Sequence, residues 1–160
     1  MKELKLDVKF TVYESVDELP AHVASLMKKA IAVKQTAYAP YSQFRVGCAL
    51  ELDNGQIILG SNQENAAYPS GLCAERVAIF QAGALYPDAK FVRMAIHAGS
   101  DHQVTRSPIP PCGSCRQSIA EYESRQHSPV EIYFMGEEGP VYQSASLANL
   151  LPLTFEKKHL

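Results

Sequence analysis

The chain has 160 residues and a formal net charge of -2, with 46% hydrophobic and 20% charged residues, which is typical of one globular domain that buries its own apolar core. The near-neutral charge and the lack of a long basic run exclude tight binding to nucleic-acid phosphates, so a small, nearly neutral partner is expected. Charges interrupt the N-terminal residues and no apolar run reaches roughly 20 residues, so we predict no signal peptide, no membrane partner and a cytoplasmic location.

The N-terminal segment alternates between apolar and polar side chains. Apolar residues occupy every second position from 4 to 12, namely Leu4, Leu6, Val8, Phe10 and Val12. A period of two is typical of a strand with one buried face. We therefore predict that residues 1–14 form a strand extension within a single domain that covers residues 1–160.

The rest of the chain predicts helices and strands in alternation. Ser15-Val-Asp-Glu18 is a capping box, and the apolar stripe behind it predicts a helix that ends before Ala39-Pro40. Asn54-Gly55 is typical of a tight hairpin turn. The predicted strands are 44–52, 56–60, 91–98, 130–135 and 141–144, and the later helices are 72–86, 112–124 and a short tail at 146–151. This order predicts an α/β fold, a three-layer sandwich with a mixed five-stranded sheet and a possible extra N-terminal edge strand.

Three of the four cysteines lie in two short segments that each open a predicted helix. The segments are Cys73-Ala-Glu75-Arg76 and Pro111-Cys112-Gly-Ser-Cys115-Arg116. Zinc binds thiolates readily, and a catalytic zinc site keeps three protein ligands with a fourth position open. Side chains two apart on a helix do not face one another, so Cys73 and Glu75 can share only a target that lies off the helix end. We predict a zinc site made by Cys73, Cys112 and Cys115.

Glu75 and two arginines complete the predicted site. A carboxylate beside the metal can take a proton from the attacking water, pass it to N3 of a pyrimidine, and later protonate the departing amine. Three thiolates leave excess negative charge on zinc(II), which nearby cations would offset. Arg76 and Arg116 follow the ligands by three and four residues, so we predict that both hydrogen-bond the ligand sulfurs.

Each of these features has a simpler explanation when it is taken alone. A single C-x-x-C is also typical of a redox pair or half a zinc knuckle, and Glu is common in the first turn of helices. A non-enzymatic zinc module and a thiol oxidoreductase using Cys112 and Cys115 therefore stay open, and metal analysis would separate them. We interpret Cys48 as a core residue. The five histidines show no ligand spacing and are assigned no role.

Longer motifs in the sequence resemble the small, homotetrameric, three-cysteine cytidine deaminases. The resemblance runs from about Ala37 to Phe155 and is carried by Ala39-Pro-Tyr-Ser-Gln-Phe44, Gly60-Ser-Asn-Gln-Glu-Asn-Ala-Ala-Tyr-Pro69, Gly71-Leu-Cys-Ala-Glu-Arg76 and Pro111-Cys-Gly-Ser-Cys-Arg-Gln117. It implies one zinc ion per subunit on the three cysteines, with Glu75 as catalytic acid and base. The implied reaction converts cytidine and 2′-deoxycytidine to uridine and 2′-deoxyuridine plus ammonia, as in pyrimidine salvage.

The same resemblance implies a set of substrate-binding residues. Asn62 and Glu64 match an N-x-E element that binds the ribose hydroxyls, and a carboxylate there would also repel a 5′-phosphate. Ala66, through its backbone, and Glu75 match the positions that contact the pyrimidine edge.

Three aromatic residues match further positions of the family pattern. Tyr68 matches a tyrosine near the sugar 5′-hydroxyl, and Phe44 matches an aromatic residue near the base. Phe155 resembles a C-terminal phenylalanine that stacks on the ligand across a subunit interface. The resemblance therefore implies a homotetramer whose active sites are shared between subunits.

The chain also departs from the family pattern in places that do not include the proposed ligands. Val77 stands where many members have threonine, and residues 1–14 and 106–110 are additional. The nearest rival within the enzyme class is a related three-cysteine deaminase of another cytosine nucleoside, such as blasticidin S. Deaminases of nucleotides or polynucleotides more often have His in place of Cys73, which argues against them.

Overall fold

The computed structural model describes all 160 residues and contains one six-stranded mixed sheet. The strands are β1 (Thr11–Tyr13), β2 (Phe44–Leu52), β3 (Ile57–Ser61), β4 (Phe91–Ser100), β5 (Glu131–Met135) and β6 (Val141–Ser144), and the α-helices are α1 (Ala21–Val33), α2 (Ala74–Leu85) and α3 (Gly113–Gln126). The strand order is β1-β6-β5-β4-β2-β3, with β4 and β5 parallel and every other pair antiparallel. None of the helices combines the length and apolar character that crossing a membrane requires.

The helices cover both faces of the sheet and create two apolar clusters. Helix α1 packs Leu26 and Met27 against Ala49 and its neighbours on one face. Helices α2 and α3 pack against the other face, where Cys48 and Leu50 are buried. Strand β2 is therefore buried on both sides, which explains its continuous apolar run. The predicted fold class, a three-layer α/β sandwich with an added N-terminal edge strand, is confirmed.

The N-terminal strand is much shorter than predicted. Only Thr11–Tyr13 pair with β6, and residues 1–10 form no regular secondary structure. The prediction of a strand with one buried face is wrong over these residues, because Leu4, Leu6 and Val8 are exposed. The partner strand β6 ends at Ser144, so the chain before β1 has no strand to pair with.

The predicted first helix is also divided. The capping-box sequence forms a single 3₁₀ turn, in which Ser15 Oγ accepts a hydrogen bond from the Asp17 backbone N–H at 3.3 Å. Leu19 then adopts an extended conformation with ψ of 147°, as expected for a residue that precedes proline. Helix α1 therefore begins only after Pro20.

Helix α2 lies directly against strand β3, and Gly60 permits this close approach. A Cβ atom at Gly60 would lie 2.3 Å from the Ala74 carbonyl oxygen and 2.8 Å from the Ala78 backbone nitrogen, and neither backbone atom can rotate away. We expect Gly60→Ala to lower the free energy of unfolding in urea by about 2–3 kcal/mol. Gly113→Ala, whose added Cβ meets nothing within 4 Å, is the control. Equal losses in the two variants would contradict this packing argument.

A buried polar cluster lies where strand β4 approaches the end of helix α1. Lys34 Nζ donates to Glu137 Oε1 at 3.0 Å, and the Thr105 backbone N–H donates to Glu137 Oε2 at 3.1 Å. These two hydrogen bonds lower the pKa of Glu137. His97 is only 4% exposed, and burial followed by the nearby Lys34 charge lowers its pKa to about 4. His97 is therefore neutral in the folded protein at physiological pH.

The buried His97 predicts an acid-sensitive contribution to stability. Its folded pKa lies below the ordinary value of 6.5, so the unfolded chain takes up a proton first as the pH falls. This stabilisation is complete above pH 6.5 and is lost as the pH falls towards 4. Between about pH 7 and pH 5, the free energy of unfolding in urea should fall by about 2 kcal/mol more for the wild type than for His97→Gln. Parallel pH profiles for the two proteins would contradict this assignment.

Candidate active site

The starts of helices α2 and α3 bring three cysteine sulfurs together. Cys73 and Cys112 are the N-terminal caps of the two helices, both with extended backbones, and neither side chain caps its own helix. Cys115 lies one turn further along α3 and is fully buried. The Sγ atoms of Cys73 and Cys112 are 3.7 Å apart and those of Cys112 and Cys115 are 3.5 Å apart. All three sulfurs lie within 4.8 Å of one another.

This sulfur cluster fits a zinc ion. A tetrahedral ion with Zn–S bonds of about 2.3 Å requires S···S separations of roughly 3.8 Å, close to the two short separations found here. The donor set consists of three thiols and contains no histidine or carboxylate, which suits zinc. Cys112 is exposed while Cys115 is buried, so the cluster lies at the surface end of the two helices.

The local electrostatics place negative charge on Cys73. The neighbouring Cys115 thiol, then Arg76 and Cys112, lower the pKa of Cys73 to about 5 despite partial burial. The same interaction with Cys73, together with burial and the nearby Glu75, raises the pKa of Cys115. The positive end of helix α2 also favours a thiolate at Cys73. Because thiolates are the metal ligands, binding of zinc to this set releases protons.

The two arginines behave differently. Arg76 Nη2 donates to Cys73 Sγ at 3.9 Å, and its buried Nε has no hydrogen-bond partner. Arg116 makes no hydrogen bond to a sulfur, contrary to the prediction. Its Nε donates to the Pro111 carbonyl at 2.8 Å and its Nη1 donates to the Leu150 carbonyl at 2.7 Å. A side chain in the first turns of a helix leans towards the helix N-terminus, which is where Pro111 lies. The hydrogen bond to the Leu150 carbonyl ties α3 to the C-terminal segment.

Glu75 lies in the first turn of α2, two residues after Cys73, and is only 4% exposed. Its carboxylate is not part of the three-residue group that could hold a metal. Burial, with repulsion from the Cys73 thiolate, raises the pKa of Glu75 to about 7. A carboxyl group with such a pKa can both accept and donate a proton near neutral pH.

A pocket of about 440 Å³ opens beside Cys73. It is lined by the loop before β2, the loop after β3 and the start of α2: Tyr41, Ser42, Asn62, Gln63, Glu64, Asn65, Tyr68, Gly71, Leu72, Cys73 and Arg76. Three of the predicted substrate residues, Asn62, Glu64 and Tyr68, therefore share one pocket with a predicted metal ligand. The pocket is large enough for a small-molecule ligand.

Asn62 and Glu64 are held in place by backbone groups. Asn62 Oδ1 accepts from the Val46 backbone N–H at 2.8 Å, and Asn62 Nδ2 donates to the Phe44 carbonyl at 2.9 Å. Glu64 accepts hydrogen bonds from the backbone N–H groups of Tyr41 and Ser42, at 2.9 and 3.2 Å, and from the Ser42 hydroxyl. Although burial opposes the charged form, these hydrogen bonds lower the pKa of Glu64.

Tyr41 and Ser42 were not assigned roles by the sequence analysis. Both line the pocket, and Tyr41 also packs edge-on against Tyr68 with ring centroids 5.8 Å apart. Their position inside the Ala39–Phe44 motif was the available signal. Their contacts with Glu64, which lies 23 residues after Tyr41 and 22 after Ser42, could not be derived from spacing.

Four other predicted substrate residues do not line this pocket within one chain, and Glu75, described above, is one of them. Phe44 is half-buried at the start of β2, and Ala66 is exposed in the loop before α2. Phe155 is 58% exposed and stacks on His159 with ring centroids 5.6 Å apart. Its carbonyl accepts a hydrogen bond from Gln117 Nε2 at 3.0 Å, which holds the C-terminal segment against α3.

Comparison with known proteins agrees with this geometry. Residues 21–128 match the family model described as the cytidine and deoxycytidylate deaminase zinc-binding region. The chain is 39% identical over 130 residues to a cytidine deaminase of Halalkalibacterium halodurans, a match that covers 81% of this chain and 91% of the relative. The chain belongs to the cytidine deaminase family. A cytidine deaminase of Sporosarcina psychrophila is 36% identical over 138 residues, covering 86% of this chain and 94% of that relative.

Solved structures of the family share the fold as well. The cytidine deaminase of Burkholderia pseudomallei superposes with a TM-score of 0.71 at 35% identity, covering 86% of this chain and all of that one. The Mycobacterium leprae enzyme gives a TM-score of 0.61 at 32% identity, covering 83% and 99% of the two chains. The predictions of the family, of zinc-dependent cytidine deamination and of a zinc cofactor are confirmed.

Proposed function

We propose that Cys73, Cys112 and Cys115 hold one zinc ion per chain and that Glu75 is the catalytic acid and base for deamination of cytidine and 2′-deoxycytidine. The observation that carries this assignment is the convergence of three sulfurs at two helix starts, with a buried carboxyl group in the same first turn. The bound zinc would supply the activation of water at neutral pH.

Glu75 carries the protons of the reaction in this proposal. It accepts a proton from the attacking water and delivers it to N3 of the pyrimidine, which makes C4 open to attack by the water oxygen. A C4–O bond forms, and Glu75 takes the remaining proton from the new C4 hydroxyl and delivers it to the amino group. The C4–N4 bond then breaks, and the C4–O bond becomes the carbonyl of the product. The products are uridine or deoxyuridine and ammonia. The pKa of Glu75, about 7, suits both the acceptance and the donation of a proton.

Asn62 and Glu64 are suited to bind the ribose hydroxyls. Glu64 uses its oxygens for three hydrogen bonds from the Tyr41–Ser42 loop, which leaves acceptor capacity for a sugar hydroxyl. Asn62 keeps one N–H of its amide free after donating to Phe44. Both side chains are held by other groups before substrate binds, which lowers the entropy lost on binding.

The remaining substrate contacts are proposed from the family pattern. The backbone of Ala66 would contact the pyrimidine edge, Phe44 would lie near the base, and Tyr68 would lie near the 5′-hydroxyl. Tyr68 and Phe155 are 74% and 58% exposed within one chain. This exposure supports a homotetramer in which Phe155 stacks on a ligand of a neighbouring subunit. Sedimentation velocity measures this assembly directly.

We also propose a role in pyrimidine salvage in the cytoplasm.

The Glu64 carboxylate predicts discrimination against nucleotides. We expect kcat/KM for cytidine monophosphate to lie far below that for cytidine, because the charged carboxylate in the pocket repels a phosphate. Glu64→Gln should lower kcat/KM for cytidine by about 10- to 100-fold, because a hydrogen bond to a charged group is lost. The ratio of kcat/KM for cytidine to that for cytidine monophosphate should also become smaller. Similar kcat/KM values for both substrates in the wild type would contradict the assigned role.

One assay tests the proposed substrate. Loss of ultraviolet absorbance is followed with cytidine, deoxycytidine and blasticidin S in turn, and zinc is quantified on the same sample. Turnover of the first two substrates with about one zinc per chain is expected. Turnover confined to blasticidin S would favour the rival deaminase, and a protein with zinc but no turnover would favour a binding module.

A further inference from the structure

The N-terminal arm, defined as residues 3–9, precedes strand β1 and lies outside the β1–β6 pairing. The β1–β6 pairing reaches Thr11↔Gln143, and β6 ends one residue later at Ser144. Three apolar side chains of the arm are exposed, by 74% at Leu4, 48% at Leu6 and 49% at Val8. An exposed segment with strand-like alternation at a sheet edge is suited to pairing with another strand.

An arm extended in line with β1 would continue one apolar face of the sheet. Val12 lies opposite Tyr142, Tyr142 lies opposite Phe134, and both rings pack near Phe10 at centroid distances of 6.5 and 6.3 Å. Because side chains alternate along a strand, the even-numbered residues of an extended arm share this face and the odd-numbered charged residues share the other. A pairing strand must therefore match apolar residues on one face and opposite charges on the other.

A second copy of the arm meets this requirement when two arms pair antiparallel about Leu6. The pairs across the two copies are then Glu3–Lys9, Leu4–Val8, Lys5–Asp7 and Leu6–Leu6, each non-central pair occurring twice. Every pair on the polar face joins opposite charges, and every pair on the other face is apolar.

The charges also select one register. Sliding one copy by two residues in one direction places Glu3 opposite Asp7, and sliding it in the other direction places Lys5 opposite Lys9. Like charges directly opposite one another destabilise a strand pair. A slide by one residue would place apolar side chains opposite charges.

We propose that the N-terminal arm is a self-association surface, in which the arms of two copies pair as antiparallel strands about Leu6. The two copies are related by a two-fold axis, so the same residues serve both partners. Strand β1 is the outer strand of the sheet, so the pairing joins the edges of two sheets. The inference does not depend on the proposed catalytic roles, and zinc content with cytidine turnover serves to check that each variant is folded.

Single cysteines in the zinc-loaded, full-length protein test the register. Leu6→Cys should form an intermolecular disulfide under mild oxidation, because residue 6 faces itself. Leu4→Cys and Val8→Cys should not link to themselves, since like positions lie about 13 Å apart, but should link to each other when co-expressed. The wild type, with its four native cysteines, gives the background. A disulfide yield for Leu6→Cys no higher than that of the wild type would overturn the proposal. A yield for Leu4→Cys alone that equals the yield for Leu6→Cys would also overturn it.

A charge exchange in the Leu6→Cys background separates pairing from structural damage. Lys5→Glu or Asp7→Lys alone sets like charges opposite one another at two symmetric positions, and each should lower the yield of linked protein at least fivefold. The double variant restores both pairs with the signs exchanged and should recover the yield. Lys157→Glu, at an exposed position near the other terminus, is the charge control. A double variant as weak as the single variants would overturn the proposal.

Discussion

Replacing Glu75 by Gln is expected to lower kcat for cytidine by roughly 10³- to 10⁴-fold, because the amide cannot take or give the transferred proton. The three sulfurs are untouched, so zinc content should stay near one per chain. Stability should not fall either, since Glu75 is only 4% exposed and a buried neutral amide avoids the desolvation cost of a buried carboxylate. The measurements are ultraviolet assay of cytidine loss, metal analysis and thermal unfolding on one sample.

The control for Glu75→Gln is Glu121→Gln. Glu121 also lies in an α-helix but is exposed on α3, so its replacement should leave kcat within about twofold, as for most surface changes. A Glu75→Gln variant that holds zinc and turns over cytidine at the wild-type rate would refute the catalytic assignment. It would leave the zinc module as the better interpretation of the site.

Replacing Cys115 by Ser is expected to abolish stoichiometric zinc and to lower kcat/KM at least about 1,000-fold, because water activation is lost with the metal. Serine is close to cysteine in size but is a poor ligand for zinc, which prefers thiolate, imidazole or carboxylate. Cys115 is fully buried near the start of α3, so the loss cannot be replaced by a nearby exposed side chain. Thermal unfolding should also become insensitive to added zinc, since zinc stabilises only a fold that binds it.

The matched control is Cys48→Ala, which removes the one cysteine outside the sulfur cluster. Cys48 is buried in strand β2 against the α2–α3 face. Its truncation should cost about 1 kcal/mol in stability through lost packing while zinc content and kcat stay unchanged. Zinc loss in Cys48→Ala equal to that in Cys115→Ser would mean that the ligand assignment is wrong. Retained zinc in both variants would mean that Cys115 is not a ligand, and a wild type without stoichiometric zinc would favour a redox role for the C-x-x-C pair.

The predicted metal centre could be derived from the sequence because its parts are local to two helix starts. Cys73 and Glu75 are separated by one residue and Cys112 and Cys115 by two, and each segment opens a predicted helix. Placing the side chains off the helix ends required only helix geometry. The buried strands could also be predicted from the sequence, since long apolar runs such as β2 are typical of strands covered on both faces.

Other parts of the site depend on contacts between distant segments. Glu64 receives hydrogen bonds from the Tyr41–Ser42 loop, and Arg116 turns to the Leu150 carbonyl instead of the sulfurs. Such choices depend on which backbone groups lie within reach after the sheet and helices have packed, and periodicity contains no information about them.

The sequence alone indicated the family through its motifs. It also predicted the layered α/β architecture and the proposed cysteine and glutamate set, because helix starts and buried strands have short-range sequence patterns. Tertiary structure alone decided which residues of a strand-like pattern pair with a neighbouring strand. The alternation at residues 4–12 is strand-like throughout, yet only residues 11–13 pair, because β6 ends at Ser144 and a strand forms only where a neighbour offers backbone hydrogen bonds.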